Sequence, residues 1–138
     1  MIPFRLTLQP GVPIHEQVAF EAKKAMMSGR LKPGDAFPSV RALSRELKIH
    51  VNTAMRVVAA LTQEGLLEVR PGIGTVVCQP PPARRAERSR ALGPEIDQVA
   101  VEAMKMGLSL EEFQKVVEER WRRLQPGAEV VSGKESEK

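Results

Sequence analysis

Asn52, Thr53 and Arg56 set an amide, a hydroxyl and a guanidinium within about one turn of a helix. Side chains of these types carry the donors and acceptors that read base edges in a DNA major groove. Asn52 and Arg56 are four residues apart and so share a helix face, with Thr53 beside them. Asn52 and Thr53 fall in the first turn of the helix, where unpaired backbone N–H groups suit a phosphate. Arg41 and Arg45 repeat the four-residue spacing one segment earlier. Two cations on one face repel each other for no structural gain unless an anion takes them up. A solvated helix face would have the same composition, so the surrounding elements must decide.

Catalysis has little to work with. The chain has no tyrosine, two histidines and one cysteine. No serine–histidine arrangement stands out, and carboxylates pair only along helix surfaces. Cys78, the lone cysteine, rules out an internal disulfide and a cysteine-based metal cluster, and reads as a small hydrophobe at a strand end. His15 reads as a surface histidine. No enzyme, metal or cofactor is expected.

The elements that must position these residues are legible from spacing. Ala54, Val57, Val58 and Leu61 form one apolar stripe, opposite Asn52, Arg56 and Gln63. The preceding helix opens at Ser39, a good N-cap just after Pro38, and turns Leu43 and Leu47 inward. Lys48 occupies the turn, Ile49 plugs the crossing, and His50 and Val51 open the second helix. Two short helices so joined make a helix-turn-helix, whose second helix is the one that enters a groove.

Around this unit the chain reads in order as follows. Ile2, Phe4, Leu6 and Leu8 alternate like a strand, but Pro3 and Pro10 limit any sheet role, so residues 1–12 form a short arm. A first helix starts at Pro13, buries Ile14, Val18, Ala22, Ala25 and Met26, and stops at Ser28 and Gly29. Lys32, Pro33, Gly34 and Asp35 have turn chemistry, and Ala36 with Phe37 can form a very short strand. After the stop at Glu64 and Gly65, residues 66–70 and 75–78 pair as strands of a hairpin. Its loop holds Gly72 and Gly74, whose lack of a side chain allows close approach to another molecule, and Arg70 flanks it with charge.

Residues 80–82 are three prolines, an extended spacer, and Arg84, Arg85, Arg88 and Arg90 follow. Gly93 and Pro94 should break any helix begun there. A helical hairpin is then predicted over residues 94–124. Ile96, Val99, Ala100, Ala103 and Met104 line its first helix, which Gly107 ends; Ser109 and Glu112 form a capping box for the second, with Leu108 placed to staple onto Phe113. Phe113, Val116, Val117, Trp121 and Leu124 line that second helix. Two such helices cannot bury both stripes against each other, so Ile96, Val99, Ala103, Phe113, Val116, Val117, Trp121 and Leu124 are the candidate dimer surface. Residues 125–138 are predicted to be a disordered tail.

Four segments in the right order, PIHEQV (13–18), SGRLKPGDAFPSVRALSREL (28–47), NTAMR (52–56) and LTQEGLLEVRPGIGTVV (61–77), resemble the GntR-type winged-helix transcription regulators. The short remainder resembles the YtrA subfamily, whose small two-helix C-terminal region serves dimerisation. The resemblance implies a mainly α fold with a small β-hairpin wing: a winged helix-turn-helix over residues 10–79, a Pro/Arg-rich linker over 80–93, and a two-helix dimerisation region. It also implies that the arm of residues 1–12 packs loosely before the first helix, and that DNA contacts come from Arg41, from the first turn of the third helix and from the wing glycines. With the capping Ser39, Arg45 and Arg70, the candidate set is Ser39, Arg41, Arg45, His50, Val51, Asn52, Thr53, Arg56, Arg70, Gly72 and Gly74. Four positions depart from the family pattern. Lys48 stands where a glycine is usual, Val58 where a tyrosine is common, and His50 and Val51 replace a more polar or proline-containing start.

Charge and composition agree. Residues 1–78 carry 10 Lys/Arg against 6 Asp/Glu, and residues 79–138 carry 11 of each, so the whole net charge of +4 sits on the half with the helix-turn-helix. No apolar run reaches membrane-spanning length and no signal segment is apparent, so a cytoplasmic protein is expected. The reading is a homodimeric, sequence-specific DNA-binding regulator on a palindromic operator, of the repressor kind usual in the family. The open alternative is a winged helix used for protein–protein docking without sequence-specific DNA binding. An effector is unidentified, and the C-terminal part is too short to enclose a ligand by itself.

Overall fold

The computed structural model describes residues 2–79 and 85–125. Its elements are α1 (Ile14–Met27), α2 (Val40–Leu47), α3 (Val51–Gln63), β1 (Leu67–Arg70), β2 (Gly74–Val77), α4 (Arg85–Lys105) and α5 (Leu110–Leu124). They fall into two units, α1 to β2 and α4 with α5.

In the first unit the apolar stripes become one core. Val18, Ala22 and Ala25 of α1, Leu43 of α2 and Ala54, Val57 and Leu61 of α3 have no exposed surface. Ile14, expected on this buried side, is exposed instead, and Ala19 takes its place. α3 packs on both α1 and α2, so the crossing that fixes α3 is set by side chains buried on three helices.

The N-terminal residues are not a loose arm. Phe4 enters the core and stacks on Phe37, with ring centroids 6.5 Å apart, and Ile2 and Leu6 pack at its edge. Gln17 of α1 clamps the far end: its side chain accepts from the Gln9 N–H at 2.8 Å and donates to the Gln9 and Val12 carbonyls. These residues form no strand.

The Lys32–Asp35 turn closes as its residues predict, with the Asp35 N–H on the Lys32 carbonyl and Gly34 at φ 94. It delivers Ala36 to a single bridge with Val76, the very short strand anticipated there. Strands β1 and β2 pair antiparallel in the register Leu67 to Val77, Glu68 to Val76, Val69 to Thr75 and Arg70 to Gly74. Leu67, Val76 and Val77 anchor the hairpin in the first unit, while Glu68, Val69 and Arg70 project from it. The Cys78 thiol donates to the Gly65 carbonyl at 3.0 Å.

The second unit corrects one expectation. α4 runs unbroken through Gly93 and Pro94 instead of stopping there. A proline inside a helix forfeits one N–H bond and crowds a carbonyl, a cost of about 3 kcal/mol. Good helix formers on both sides, residues 85–92 and 95–105, carry the helix across it. Residues 85–93 are therefore helix, not linker. The proline run, Arg84 and residues 126–138, read above as spacer, basic cluster and tail, lie outside the described residues.

α4 ends as predicted at Gly107 (φ 81), with the Gly107 and Leu108 N–H groups on the Met104 and Ala103 carbonyls. Ser109 then opens α5 with the full reciprocal box: Glu112 N–H to Ser109 Oγ at 3.2 Å, and Ser109 N–H to Glu112 Oε1 at 2.9 Å. The Ser109 N–H first, and the Ser109 hydroxyl second, hydrogen-bond the Glu112 carboxylate and hold it below the usual glutamate range. The two helices do not pack along their lengths. Burial gathers near the turn, at Ala103 and in part Ala100, Leu108 and Phe113.

Candidate nucleic-acid interface

The interface is built on α2, the turn Lys48–Ile49, and α3. Ser39 caps α2, its Oγ accepting from the Ala42 N–H at 3.1 Å. That cap replaces one missing intrahelical bond and leaves Arg41 and Arg45 exposed on successive turns. Neither is paired with a carboxylate among the described residues, nor are Lys48 and Arg56, which are also exposed.

The turn is made with a residue that suits it poorly. Lys48 sits at φ 56 and ψ 47, the sole non-glycine of positive φ among the described residues. A left-handed conformation costs an L-residue roughly 1–2 kcal/mol. Ser44 enforces it from both ends. Its carbonyl accepts from the Lys48 and Ile49 N–H groups, and its Oγ donates to the Ile49 carbonyl at 2.7 Å. The chain thus keeps the turn expected of a glycine, and carries the strain.

α3 starts on an unusual cap. His50 Nδ1 accepts from the Asn52 N–H at 3.0 Å. An N–H donating to Nδ1 leaves the neutral ring's proton on Nε2, so the exposed edge of His50 is a hydrogen-bond donor. From this cap Asn52 and Arg56 are exposed, Thr53 is half-buried, and Ala54, Val57 and Leu61 are wholly buried beneath them. The helix is therefore fixed from below and open above.

One neighbour of this face was not singled out in the sequence. Met55 is 54% exposed and lies four residues on from exposed Val51, so an apolar pair runs beside Asn52 and Arg56. Apolar contact of this kind reads thymine methyl groups. Its signal was the spacing to Val51, masked because methionine reads as core.

The wing projects from β1 and β2. The turn closes with the Ile73 N–H on the Arg70 carbonyl at 3.0 Å, Gly72 at φ 79 and Gly74 at φ 112. Both glycines are needed for the backbone alone, since a Cβ at either would meet no atom. Ile73 stands 73% exposed at the tip, and Arg70 donates through Nε to Glu68 Oε1 at 2.7 Å. Such a surface pair contributes little to stability and is readily exchanged for another anion.

On the second unit, Ile96, Val99, Val116, Val117, Trp121 and Leu124 are exposed, and no residue of α5 is buried. Of the candidate dimer residues Ala103 is buried and Phe113 half-buried, so these two hold the turn.

Residues 14–77 match the profile of the bacterial regulatory proteins of the gntR family. The chain is 29% identical over 108 residues to the HTH-type transcriptional repressor YtrA of Bacillus subtilis, covering 78% of this chain and 83% of that one. It is 32% identical over 71 residues to the regulator YhcF of the same organism, across 51% of this chain and 59% of that one. Among solved structures, YtrA of Sulfolobus acidocaldarius, a GntR-family transcription factor, superposes with a TM-score of 0.57 at 26% identity, over 72% of this chain and 97% of that one. A Listeria monocytogenes protein described as a transcriptional antiterminator shares the fold more closely, with a TM-score of 0.77 over 88% of this chain and 91% of that one, at 19% identity. Residues 14–77 are thus a regulatory domain of the bacterial gntR family, and the chain as a whole is similar to YtrA-type regulators.

Proposed function

We propose that this transcriptional regulator is a repressor that binds a palindromic operator as a homodimer. The carrying observation is α3: Val51, Asn52, Met55 and Arg56 stand exposed over Ala54, Val57 and Leu61, which have no exposed surface. Asn52 and Arg56 supply bidentate polar contacts to bases, and Val51 and Met55 supply apolar ones. Arg41, Arg45, the exposed edge of His50 and the wing hold the sugar-phosphate backbone and set the register. The relative from Bacillus subtilis is named a repressor, and that sign is carried over to this chain.

A second copy is needed to cover the second unit. Trp121 is 66% exposed, with Val116, Val117 and Leu124 also exposed on α5. Large aromatic side chains set among apolar neighbours are what anchor an interface. Two-fold symmetry then places half-sites about 34 Å apart, or a multiple of it. An effector of this regulator would bind at the interface between copies, because a helix pair with no buried residue in α5 encloses no cavity of its own. No described helix is long and apolar enough to cross a membrane, and the protein acts in the cytoplasm, where its DNA lies.

Purified protein titrated against the DNA upstream of its own gene, and against a scrambled duplex, at low and high salt, tests the reading. Tight binding to the first DNA alone, weakening steeply with salt, is expected. Failure on both, and in a wider DNA selection, would leave the winged helix as a protein-docking module.

A further inference from the structure

We infer that Lys48 is a DNA-phosphate contact, held in its left-handed backbone conformation by Ser44 so that a cation stands at the joint between α2 and α3. The inference rests on the DNA-binding reading above and adds a residue which that reading does not use.

The turn itself does not need lysine. Three hydrogen bonds from Ser44 define the backbone, and none involves the Lys48 side chain. Glycine would adopt the same φ and ψ without steric conflict. The only thing Lys48 adds over glycine is its side chain, and that side chain is exposed with no carboxylate partner among the described residues. It therefore strains the fold and returns nothing to it.

What it does supply is charge in a particular place. Arg45 lies one turn before it on α2, and His50 caps α3 two residues after it. When α3 lies in a groove, the joint with α2 passes over the edge of that groove, where phosphates run. An ammonium on a flexible stem is suited to such a point contact, which needs no fixed fork geometry. Strain retained at a site over-determined by its neighbours is the usual mark of a functional position.

Full-length Lys48→Gly, Lys48→Asn and Lys48→Arg separate charge from strain. Each is titrated with a short random-sequence duplex over a range of salt, and its thermal unfolding is followed. Lys48→Gly should unfold about 4 °C above the wild type, through relief of the left-handed lysine. Its plot of log affinity against log salt should be shallower by about 0.9 for each bound protomer, the contribution of one phosphate contact. Lys48→Asn, which tolerates the conformation but lacks the charge, should match that slope, and Lys48→Arg should keep the wild-type one. A wild-type slope in both uncharged variants would overturn the inference and leave the DNA-binding reading standing. A lower unfolding midpoint for Lys48→Gly would also overturn it, by showing that the side chain serves the fold. A wild-type protein that binds no duplex would remove both together.

Discussion

The two units of this chain use the same sequence signals and reach opposite ends. α3 and α5 are both amphipathic helices opened by a side-chain cap. In α3 Ala54, Val57 and Leu61 of the apolar stripe are wholly buried and Val58 is half-buried, and in α5 no residue is buried. The stripes differ little; the number of elements available to cover them differs. α1, α2 and the wing close over α3, whereas α4 meets α5 only near their turn. A pattern of apolar residues thus tells that a face will be covered, and says nothing of whether the cover is the same chain. In the first unit the uncovered face is polar, and it is the surface proposed above to meet DNA. In the second it is apolar, and it is the surface proposed above to meet a second copy.

Removing one side chain from each stripe should give the largest contrast. Leu61→Ala leaves a cavity under α3 and should lower the stability of the first unit by about 2–5 kcal/mol, seen as an earlier denaturant midpoint. DNA binding would fall with it. Trp121→Ala should leave that midpoint where it was and weaken self-association by about 2 kcal/mol or more, read by sedimentation at graded concentrations. Equal loss of stability from both changes would mean that the two units fold as one. An unchanged association constant would move the dimer contact elsewhere.

How much of this was legible follows the same division. The helix-turn-helix could be read because its signals are local: a cap at Ser39, the stripe of Ala54, Val57 and Leu61, and glycines at the wing. The C-terminal capping box was legible for the same reason. Phe4 was misplaced because its partner is Phe37, and alternation along residues 2–8 carries no trace of a distant ring. Gly93 and Pro94 misled because a strong local breaker was weighed alone, without the helix formers flanking it. The strained turn at Lys48 was legible as a departure from the family's glycine, but its outcome was not. Whether the chain changes the turn or keeps it depends on Ser44, which the spacing gives no reason to notice.

The contrast between faces sharpens with Arg56. It stands over the buried stripe with no ion-pair partner among the described residues, so its loss should not disturb the fold. Arg56→Ala should weaken operator binding by about 1–3 kcal/mol if the guanidinium reads a base, and relax the preference at that base pair. Affinity lowered equally on operator and scrambled DNA would make Arg56 a phosphate contact instead. Unchanged affinity would remove it from the interface.

The smallest expected effect separates the caps of the two units. At α2, Ser39 receives the Ala42 N–H, and position 42 has no carboxylate to return the bond. At α5, Glu112 returns it to the Ser109 N–H, and its carboxyl is held below the usual glutamate range by that bond. A carboxylate whose affinity for protons is lower in the folded chain stabilises the fold fully above the ordinary glutamate range. That contribution disappears as pH falls through the lowered value. Acidification should therefore fray the start of α5 before it touches α2, seen as faster amide exchange at Ser109 with little change at Ala42. Glu112→Gln keeps an acceptor oxygen but no titrating group, and should make the exchange at Ser109 indifferent to pH beyond its intrinsic dependence. If the variant still frays on acidification, another group governs that end of the helix. The box would then be geometry without an electrostatic role.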